Sequence, residues 1–404
     1  MYAQDLDLNG HRFRIELVPA GGSGSAVCAR AVNLAGGTVP ETDPASVLLR
    51  TALIGHADLM RVGEGHPEQA AAKSEQAATA EDAERHVLGH VPERASGERR
   101  RTAVEDARRR LAGFLAPAAE VAAGAGDVPG GCTNLLWWDE RANFGDAVGP
   151  WLVRRLTGLT PVNGWRRNLS SPPLVAVGST AGWLEQDGTR VWGAGLMEPL
   201  ASDAVQRLAK LRGIAIHAVR GELTGAELRS RLGWTVPEVY GDPALLLPRF
   251  LSVPDGQPSQ GKVAVLPHLD HRGLFGSPGD SGDSGAGDAA HVIDARQGLE
   301  RVVREVAAAR VCVSSSLHGI IVAQAYGVPW VWVRIEDALI AGDTYKFRDF
   351  FTTLDSDAVS AVSITAAQAR QMDPAALART AALPRLKISL DALLDAFPLG
   401  RTAN

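Results

Sequence analysis

Residues 310–333 constrain the fold most, because they combine two apolar strands with a short helix. The strand Arg310–Val313 is rich in β-branched residues, and about two helical turns follow it, ending at Gly327 before Pro329. The run Trp330–Val333 is again apolar and predicts a second strand. Together these segments predict a βαβ unit. Ligands of such units bind in the crevice at the carboxyl end of the strand.

The turn after the first of these strands is rich in groups that bind anions. Ser314, Ser315 and Ser316 occupy the turn, and His318 and Gly319 follow at the start of the helix. Serine hydroxyls cap helices, and the N–H groups of a first helical turn have no partner within the helix. The stretch therefore suits a phosphate or a carboxylate. A capped helix with a surface histidine is the alternative, and the pattern alone leaves both open.

The composition is typical of a soluble protein with more than one domain. The chain has 404 residues, of which 45% are hydrophobic and 22% charged. A net charge of -5 gives no reason to expect a nucleic-acid partner. Cys28, Cys132 and Cys312 lack the number and spacing of a disulfide framework or a zinc site. No apolar run approaches the roughly 20 residues that cross a bilayer. We therefore expect a cytoplasmic protein without a bound metal.

The first 125 residues differ in composition from the rest. His11–Val18 alternates like a strand, and Ser46–Leu59 has the pattern of an amphipathic helix. Residues 68–125 are rich in Ala, Glu and Arg. Their basic cluster at 99–110 is either a solvated helix face or a docking surface for an anionic membrane or glycan. We predict a mostly helical accessory region over residues 1–125, and no motif in it indicates a function.

From residue 132 onward, apolar strands alternate with helical segments. This alternation predicts parallel sheets and an α/β fold of the doubly wound kind. A segment with two prolines and two glycines, residues 250–261, divides the chain into two sets of elements. The predicted domains are residues 132–252 and 260–404. Two such domains in tandem imply a cleft between them, the usual place for a small-molecule site.

Polar residues recur where the predicted strands end, and a doubly wound fold places these ends on one side. They include Asn143, Gly145, Asp146, Arg220, Glu222, Asp242 and His268. Asp146 and Asp242 are also ordinary cap or turn residues, and His268 is equally an ordinary loop residue. Arg220 is harder to explain, because a buried strand rarely ends in arginine without a fixed partner. We therefore favour an anion ligand at Arg220.

Five ordered motifs, taken together, resemble the polysaccharide pyruvyl transferase family. They are Asn143-Phe-Gly-Asp146, Trp192-Gly-Ala-Gly195, Val219-Arg-Gly-Glu222, Tyr240-Gly-Asp-Pro243 and Ser314-Ser-Ser-Leu-His-Gly319. A sixth, Tyr345-Lys-Phe-Arg-Asp-Phe350, resembles the exopolysaccharide branch that forms ketals. The resemblance covers roughly residues 133–380 and does not include the N-terminal region.

The resemblance implies two Rossmann-like domains in a GT-B-like arrangement. It also implies phosphoenolpyruvate as the donor, no other cofactor, and a sugar of a polysaccharide or lipid-linked glycan as the acceptor. The products would be a pyruvate ketal and phosphate. With a lipid-linked acceptor, the protein would work at the inner face of the membrane.

Family members bind the donor's phosphate and carboxylate through arginine and histidine at positions that match Arg220 and His318. Many carry a second arginine where this chain has Ser316. One anion contact would then come from the serine hydroxyls, the helix N-terminus or Lys346. The expected substrate-binding set is Arg220, Ser314, Ser315, Ser316, Gly319, His268, Asn143, Gly145, Asp242 and Lys346.

The implied chemistry needs an acid, a base and positive charge near the leaving phosphate. Protonation of the donor's methylene carbon creates an oxocarbenium-like centre, which one sugar hydroxyl attacks before a second displaces phosphate. His318 is the expected acid or proton relay, and Arg220 the expected bidentate clamp. Asp146 or Glu222 would deprotonate a hydroxyl. Two other readings stay open: a GT-B glycosyltransferase that uses a nucleotide sugar, and a non-catalytic glycan-binding relative.

Overall fold

The computed structural model describes residues 131–402 with gaps, together with the backbone of four strands before residue 91. The gaps are residues 140, 142, 166–168, 170, 255, 258, 276–289 and 356–358. The chain divides into two compact units. The first holds residues 1–132, 139–142 and 167–170, and the second holds the remainder.

In the first unit, the described strands form one antiparallel sheet in chain order. They are β1 (Tyr2–Leu8), β2 (His11–Pro19), β3 (Ala26–Asn33) and β4 (Arg85–His90). The strand predicted at His11–Val18 is confirmed. The predicted helix Ser46–Leu59 lies outside the described residues, as does most of 68–125. For Arg85–His90 the prediction of helix is wrong, because its backbone pairs with β3 and pairing overrides a weak compositional preference.

The second unit begins with a five-stranded sheet in the order β6-β5-β7-β8-β9. Its strands are β5 (Cys132–Leu136), β6 (Thr160–Asn163), β7 (Leu174–Val175), β8 (Arg190–Trp192) and β9 (Ala215–Ala218). Its helices are α1 (Phe144–Thr157), α2 (Ser202–Leu208) and α3 (Glu222–Leu232). Short 3-10 helices span Ala181–Trp183 and Pro243–Arg249.

A second five-stranded sheet follows in the order β11-β10-β12-β13-β14. Its strands are β10 (Val263–Leu266), β11 (Ala290–Val292), β12 (Val311–Ser314), β13 (Trp330–Ile335) and β14 (Val362–Ile364). The larger helices are α4 (Leu299–Ala308), α5 (Leu317–Ala325) and α6 (Asp343–Phe351). Shorter ones are α7 (Ala366–Arg370), α8 (Pro374–Ala378), α9 (Leu390–Asp395) and the 3-10 helix Leu269–Leu274.

Both sheets place their first strand between the second and the third. This is a doubly wound order, and its ligand crevice lies outside the carboxyl ends of the first and third strands, where the winding reverses. In the two sheets these strands are β5 with β7 and β10 with β12, each pair parallel. The predicted α/β fold with parallel sheets is thus confirmed. The domain boundaries and the GT-B-like arrangement stay predictions.

The predicted βαβ unit is present as β12, α5 and β13. Helix α5 is almost entirely buried, since it packs against its own sheet and against the 3-10 helix Pro243–Arg249. One apolar cluster includes residues from the elements of both five-stranded sheets, among them Leu135, Leu246, Ile320 and Phe347. The N-terminus of α5 is therefore held on both sides by the core. Within the described residues, no helix has the length and apolar character that a membrane crossing needs.

Candidate functional site

His318 lies in the first turn of α5, directly beyond the carboxyl end of β12. Its side chain is only 12% exposed. The ring packs edge-on against Phe144, with 6.5 Å between ring centroids. On the same side, a Cβ at Gly145 would overlap the Nδ1 atom of His318. The first turn of α1 therefore fixes where the imidazole can lie.

Asp242 faces the other nitrogen of this ring. Its Oδ1 accepts a hydrogen bond of 2.9 Å from the Ala244 N–H and so caps the 3-10 helix that follows. Its Oδ2 lies 3.7 Å from Nε2 of His318. Both of these atoms are buried and have no hydrogen-bond partner. The pair is therefore close enough to interact but is not hydrogen-bonded in this state.

Burial dominates the protonation of this pair. It raises the pKa of Asp242 to about 7, despite the opposing effects of the Ala244 N–H and the charge of Arg220. It lowers the pKa of His318 to about 3, and electrostatic interactions with Arg220, Lys346 and His268 act in the same direction. The imidazole of His318 is consequently neutral at physiological pH, whereas the carboxyl group of Asp242 titrates close to physiological pH.

Lys346 brings a buried cation to the same region from helix α6. It is 6% exposed, and its ammonium has no hydrogen bond or ion pair within the described part of the chain. Burial lowers its pKa to about 8, and the charge of Arg220 adds to this effect. The carboxylates of Asp146, Asp270 and Asp343 oppose it. Its Nζ lies 5.8 Å from the centroid of the Phe347 ring. Because an aromatic face compensates a desolvated charge less than an ion pair does, an incoming anion would be bound well here.

The three serines divide into two roles. The Ser314 hydroxyl donates to the Leu266 carbonyl at 2.6 Å and accepts from the Ser316 N–H at 3.0 Å, which ties β12 to β10. The Ser315 hydroxyl accepts from the His268 N–H at 3.0 Å and contacts His271 at 3.0 Å. Ser316 occupies the N-cap of α5, yet its side chain makes no capping bond. Its hydroxyl and the first N–H groups of α5 can therefore serve an anion.

Gly319 is explained by packing. A Cβ at this position would overlap the Ser314 hydroxyl and press on Leu266. Glycine thus lets the first turn of α5 approach the ends of β10 and β12 closely.

Arg220 has its fixed partner inside the protein. It is fully buried, and its guanidinium donates to Asp349 at 2.9 Å, to the Ser179 hydroxyl at 2.7 Å and to the Leu196 carbonyl at 2.6 Å. Gly195 lies so close to the guanidinium that a side chain there would overlap it. The clamp predicted at Arg220 stays a prediction. In this state the residue acts on the site through its charge.

Asp349, the partner of Arg220, is a residue that the sequence reasoning missed. It also accepts hydrogen bonds of 2.8 Å from both the N–H and the hydroxyl of Thr224. The network joins α3 of the first sheet to α6 of the second. One signal was available, since an aspartate flanked by the core residues Phe347 and Phe350 must have a buried partner.

Of the remaining predicted residues, the structure brings Asn143 and His268 to the region of the site but not Glu222. Asn143 caps α1 and donates to the Asp146 carboxylate at 2.6 Å. Nδ1 of His268 accepts from the Asp270 N–H at 3.3 Å and so caps the 3-10 helix Leu269–Leu274. Glu222, in contrast, is exposed at the start of α3. Its carboxylate has no hydrogen bond or ion pair to any described residue, so the structure does not bring it to His318.

The site is thus a set of groups for anion recognition and proton transfer, assembled around the N-terminus of α5. Its members are His318, Asp242, Lys346, Ser316, Gly145 and Asp146. No group of three or more His, Cys, Asp or Glu side chains in the described part of the chain could hold a metal ion.

Comparisons with known proteins agree with the resemblance seen in the motifs. The family described as polysaccharide pyruvyl transferase matches residues 173–337. "Uncharacterized protein L143" of Acanthamoeba polyphaga mimivirus is 28% identical over 141 residues, 34% of this chain and 47% of that protein. Succinoglycan biosynthesis protein ExoV of Rhizobium meliloti (strain 1021) is 27% identical over 227 residues, 54% of this chain and 63% of that protein. The chain thus spans less than two thirds of each relative. The family resemblance is confirmed over residues 173–337.

Proposed function

We propose that this chain, whose residues 173–337 match the polysaccharide pyruvyl transferase family, transfers a pyruvyl group from phosphoenolpyruvate to a glycan. The acceptor is a sugar of a polysaccharide or of a lipid-linked glycan. A pyruvate ketal forms and phosphate is released. The observation that carries this proposal is the grouping of a largely buried lysine that has no ion pair among the described residues, a helix N-terminus without a side-chain cap and a neutral histidine.

Phosphoenolpyruvate carries a phosphate and a carboxylate, so its site must neutralise two anionic groups. Lys346 would bind one of them, and the N-terminus of α5 with the Ser316 hydroxyl would bind the other. Arg220 would attract both anionic groups through its charge without a direct hydrogen bond, since its donors are used within the protein. These groups take over the task of the second arginine that many family members carry at the position of Ser316.

The acceptor is expected beside the first sheet, where one indole of an aromatic pair is exposed. Trp183 is 37% exposed and meets Trp165 edge to face, with 6.0 Å between ring centroids. Trp183 belongs to the short helix that follows Ser179, the residue bonded to Arg220. Exposed indole rings offer an apolar face on which a sugar ring can stack, with a polar N–H at the edge.

Mass spectrometry of a glycan incubated with the protein and phosphoenolpyruvate tests this proposal. The expected product carries one pyruvate less one water, and free phosphate appears in an equal amount. His318→Gln should abolish both signals, whereas Lys210→Met, a change in the exposed turn that follows α2, should leave them intact. Addition of a hexose unit from a nucleotide sugar, with no reaction of phosphoenolpyruvate, would overturn the proposal in favour of glycosyl transfer.

A further inference from the structure

Asp242 and His318 present each other with two buried polar atoms that lack partners. Oδ2 of the carboxyl group and Nε2 of the imidazole lie 3.7 Å apart, and neither has a hydrogen bond. Buried polar atoms are rarely left unpaired in folded proteins, so an unpaired carboxyl oxygen that faces an unpaired ring nitrogen calls for a functional explanation. The anion site described above does not use this contact.

We propose that Asp242 is a positioning residue that sets which nitrogen of His318 carries the proton, and that the two form a proton relay to the substrate. The substrate meets Nδ1, while Nε2 exchanges a proton with Asp242. For the identity of the substrate this inference rests on the proposed function. The placement of the proton does not depend on it.

The geometry holds both partners in place for this exchange. Oδ1 of Asp242 is fixed by the Ala244 N–H, so Oδ2 has one orientation, towards the ring. The ring is held by Phe144 and by the lack of a side chain at Gly145. Of the two ring nitrogens Nε2 is the enclosed one, and a small tilt of the imidazole closes the distance to Oδ2 to that of a hydrogen bond.

The protonation of Asp242 then selects the tautomer of His318. A protonated carboxyl group donates to Nε2, and the neutral ring carries its proton on Nδ1. An ionised carboxylate accepts from Nε2–H, and Nδ1 then offers a lone pair. The hydrogen bond at one ring nitrogen decides the state of the other, so Nδ1 is a donor in the first case and an acceptor in the second.

The charges around the pair explain why a relay is needed. The groups that act on His318 from the neighbouring elements are Arg220, Lys346 and His268, and those that act on Asp242 are Arg220 and Asp349. Asp146 lies next to Gly145 in α1. Burial and the charges of Arg220 and Lys346 make an imidazolium unfavourable. A ring that gains one proton as it gives up the other never becomes charged.

The proton and electron balance is complete without an oxidant or a reductant. In the first half, the double bond of phosphoenolpyruvate takes the Nδ1 proton, a C–H bond forms, and Nε2 takes the carboxyl proton of Asp242. In the second half, a sugar oxygen bonds to the cationic carbon, its proton passes to Nδ1, and the Nε2 proton returns to Asp242. A second hydroxyl displaces phosphate, which leaves with that hydroxyl's proton.

Nitrogen NMR of the free full-length protein, labelled at histidine, tests the proton placement without any substrate. The His318 signals are identified by their loss in His318→Gln. We expect the proton on Nδ1 below about pH 7 and on Nε2 above it, following the titration of Asp242. In Asp242→Asn the side-chain amide keeps the cap and donates to Nε2, so the Nδ1–H form should persist at every pH. A switch that survives in Asp242→Asn would overturn the proposal, as would a wild-type tautomer that does not change with pH.

Asp373→Asn is a matched control, because Asp373 caps α8 with the same Asp-Pro-Ala pattern and a bond of 2.9 Å to Ala375. It should leave the His318 tautomer unchanged. In turnover, Asp242→Asn should lower kcat about 100-fold or more, change KM for phosphoenolpyruvate little, and remove the limb of the pH profile near 7. Normal turnover in Asp242→Asn would overturn the relay. A tautomer switch in a protein that transfers no pyruvyl group would overturn the proposed function alone.

Discussion

At the scale of single residues, space and charge around His318 decide what the site can do. Position 145 must lack a side chain, since a Cβ there would occupy the place of the imidazole. Lys346 contributes a largely buried charge to which no described residue forms an ion pair. Each of these features can be removed by one substitution that keeps the surrounding helix.

Gly145→Ala should displace the ring of His318 and lower kcat by about 100-fold or more, because proton transfer depends on placement within a fraction of an ångström. Helix α1 should still form, since alanine favours helices. The control is Gly149→Ala in the same helix, where a Cβ would meet Val177 at an ordinary 3.7 Å. Turnover assays on both variants check this. Equal loss in both would show that α1, rather than the ring position, is at fault.

Lys346→Met should weaken phosphoenolpyruvate binding and at the same time stabilise the protein. Burial lowers the pKa of Lys346 from 10.5 to about 8, so the unfolded chain binds the proton more tightly than the folded one. The buried charge therefore destabilises the folded protein by its full amount below pH 8, and this destabilisation disappears as the pH rises through 10.5. Lys346→Met should therefore raise Tm at pH 7 more than at pH 10, and raise KM for the donor at least tenfold. Thermal unfolding and kinetics with Lys210→Met as control measure both, and an unchanged KM would exclude Lys346 as an anion ligand.

At the scale of elements, helix α5 is the part that presents the site. Its residues are apolar on nearly every side, so it is packed between β12 and the 3-10 helix Pro243–Arg249 and leaves only its N-terminus for a ligand. The turn before it is rigid because the Ser314 hydroxyl joins Leu266 to Ser316. Neighbouring serines therefore serve structure and binding separately.

Ser314→Ala and Ser316→Ala should separate these two roles. The first leaves a buried carbonyl and a buried N–H unpaired and should cost about 1–3 kcal/mol in the free energy of unfolding. The second removes a hydroxyl without a hydrogen bond, so it should leave stability unchanged and weaken donor binding. Urea unfolding and a binding titration with phosphoenolpyruvate measure the two effects. Loss of stability in Ser316→Ala would contradict this division.

At the scale of the whole second unit, the Arg220 network connects elements of the two parallel sheets. Arg220 follows β9, whereas Asp349 belongs to α6. The two side chains form an ion pair of 2.9 Å. Both side chains are fully buried. Removing one partner leaves an uncompensated charge inside the protein, and this is more costly than removing both.

Asp349→Asn should lower the free energy of unfolding by about 3–5 kcal/mol, because Arg220 stays charged in a dry environment. Arg220→Met combined with Asp349→Asn should destabilise the protein less than the sum of the two single changes. A double-mutant cycle by urea unfolding gives the coupling free energy. Additive effects would mean that the Arg220–Asp349 pair does not stabilise the packing of the two sheets' elements against each other.

The sequence by itself determined the alternation of strands and helices, the βαβ unit at residues 310–333 and the family resemblance. These are local periodicities and ordered motifs, and they can be read one segment at a time. Only the tertiary structure decided which polar groups meet. Arg220 is enclosed with Asp349, Glu222 points outward, and Asp242 faces His318. Burial and hydrogen-bond partners depend on how segments far apart in the chain pack, and no local pattern encodes that packing.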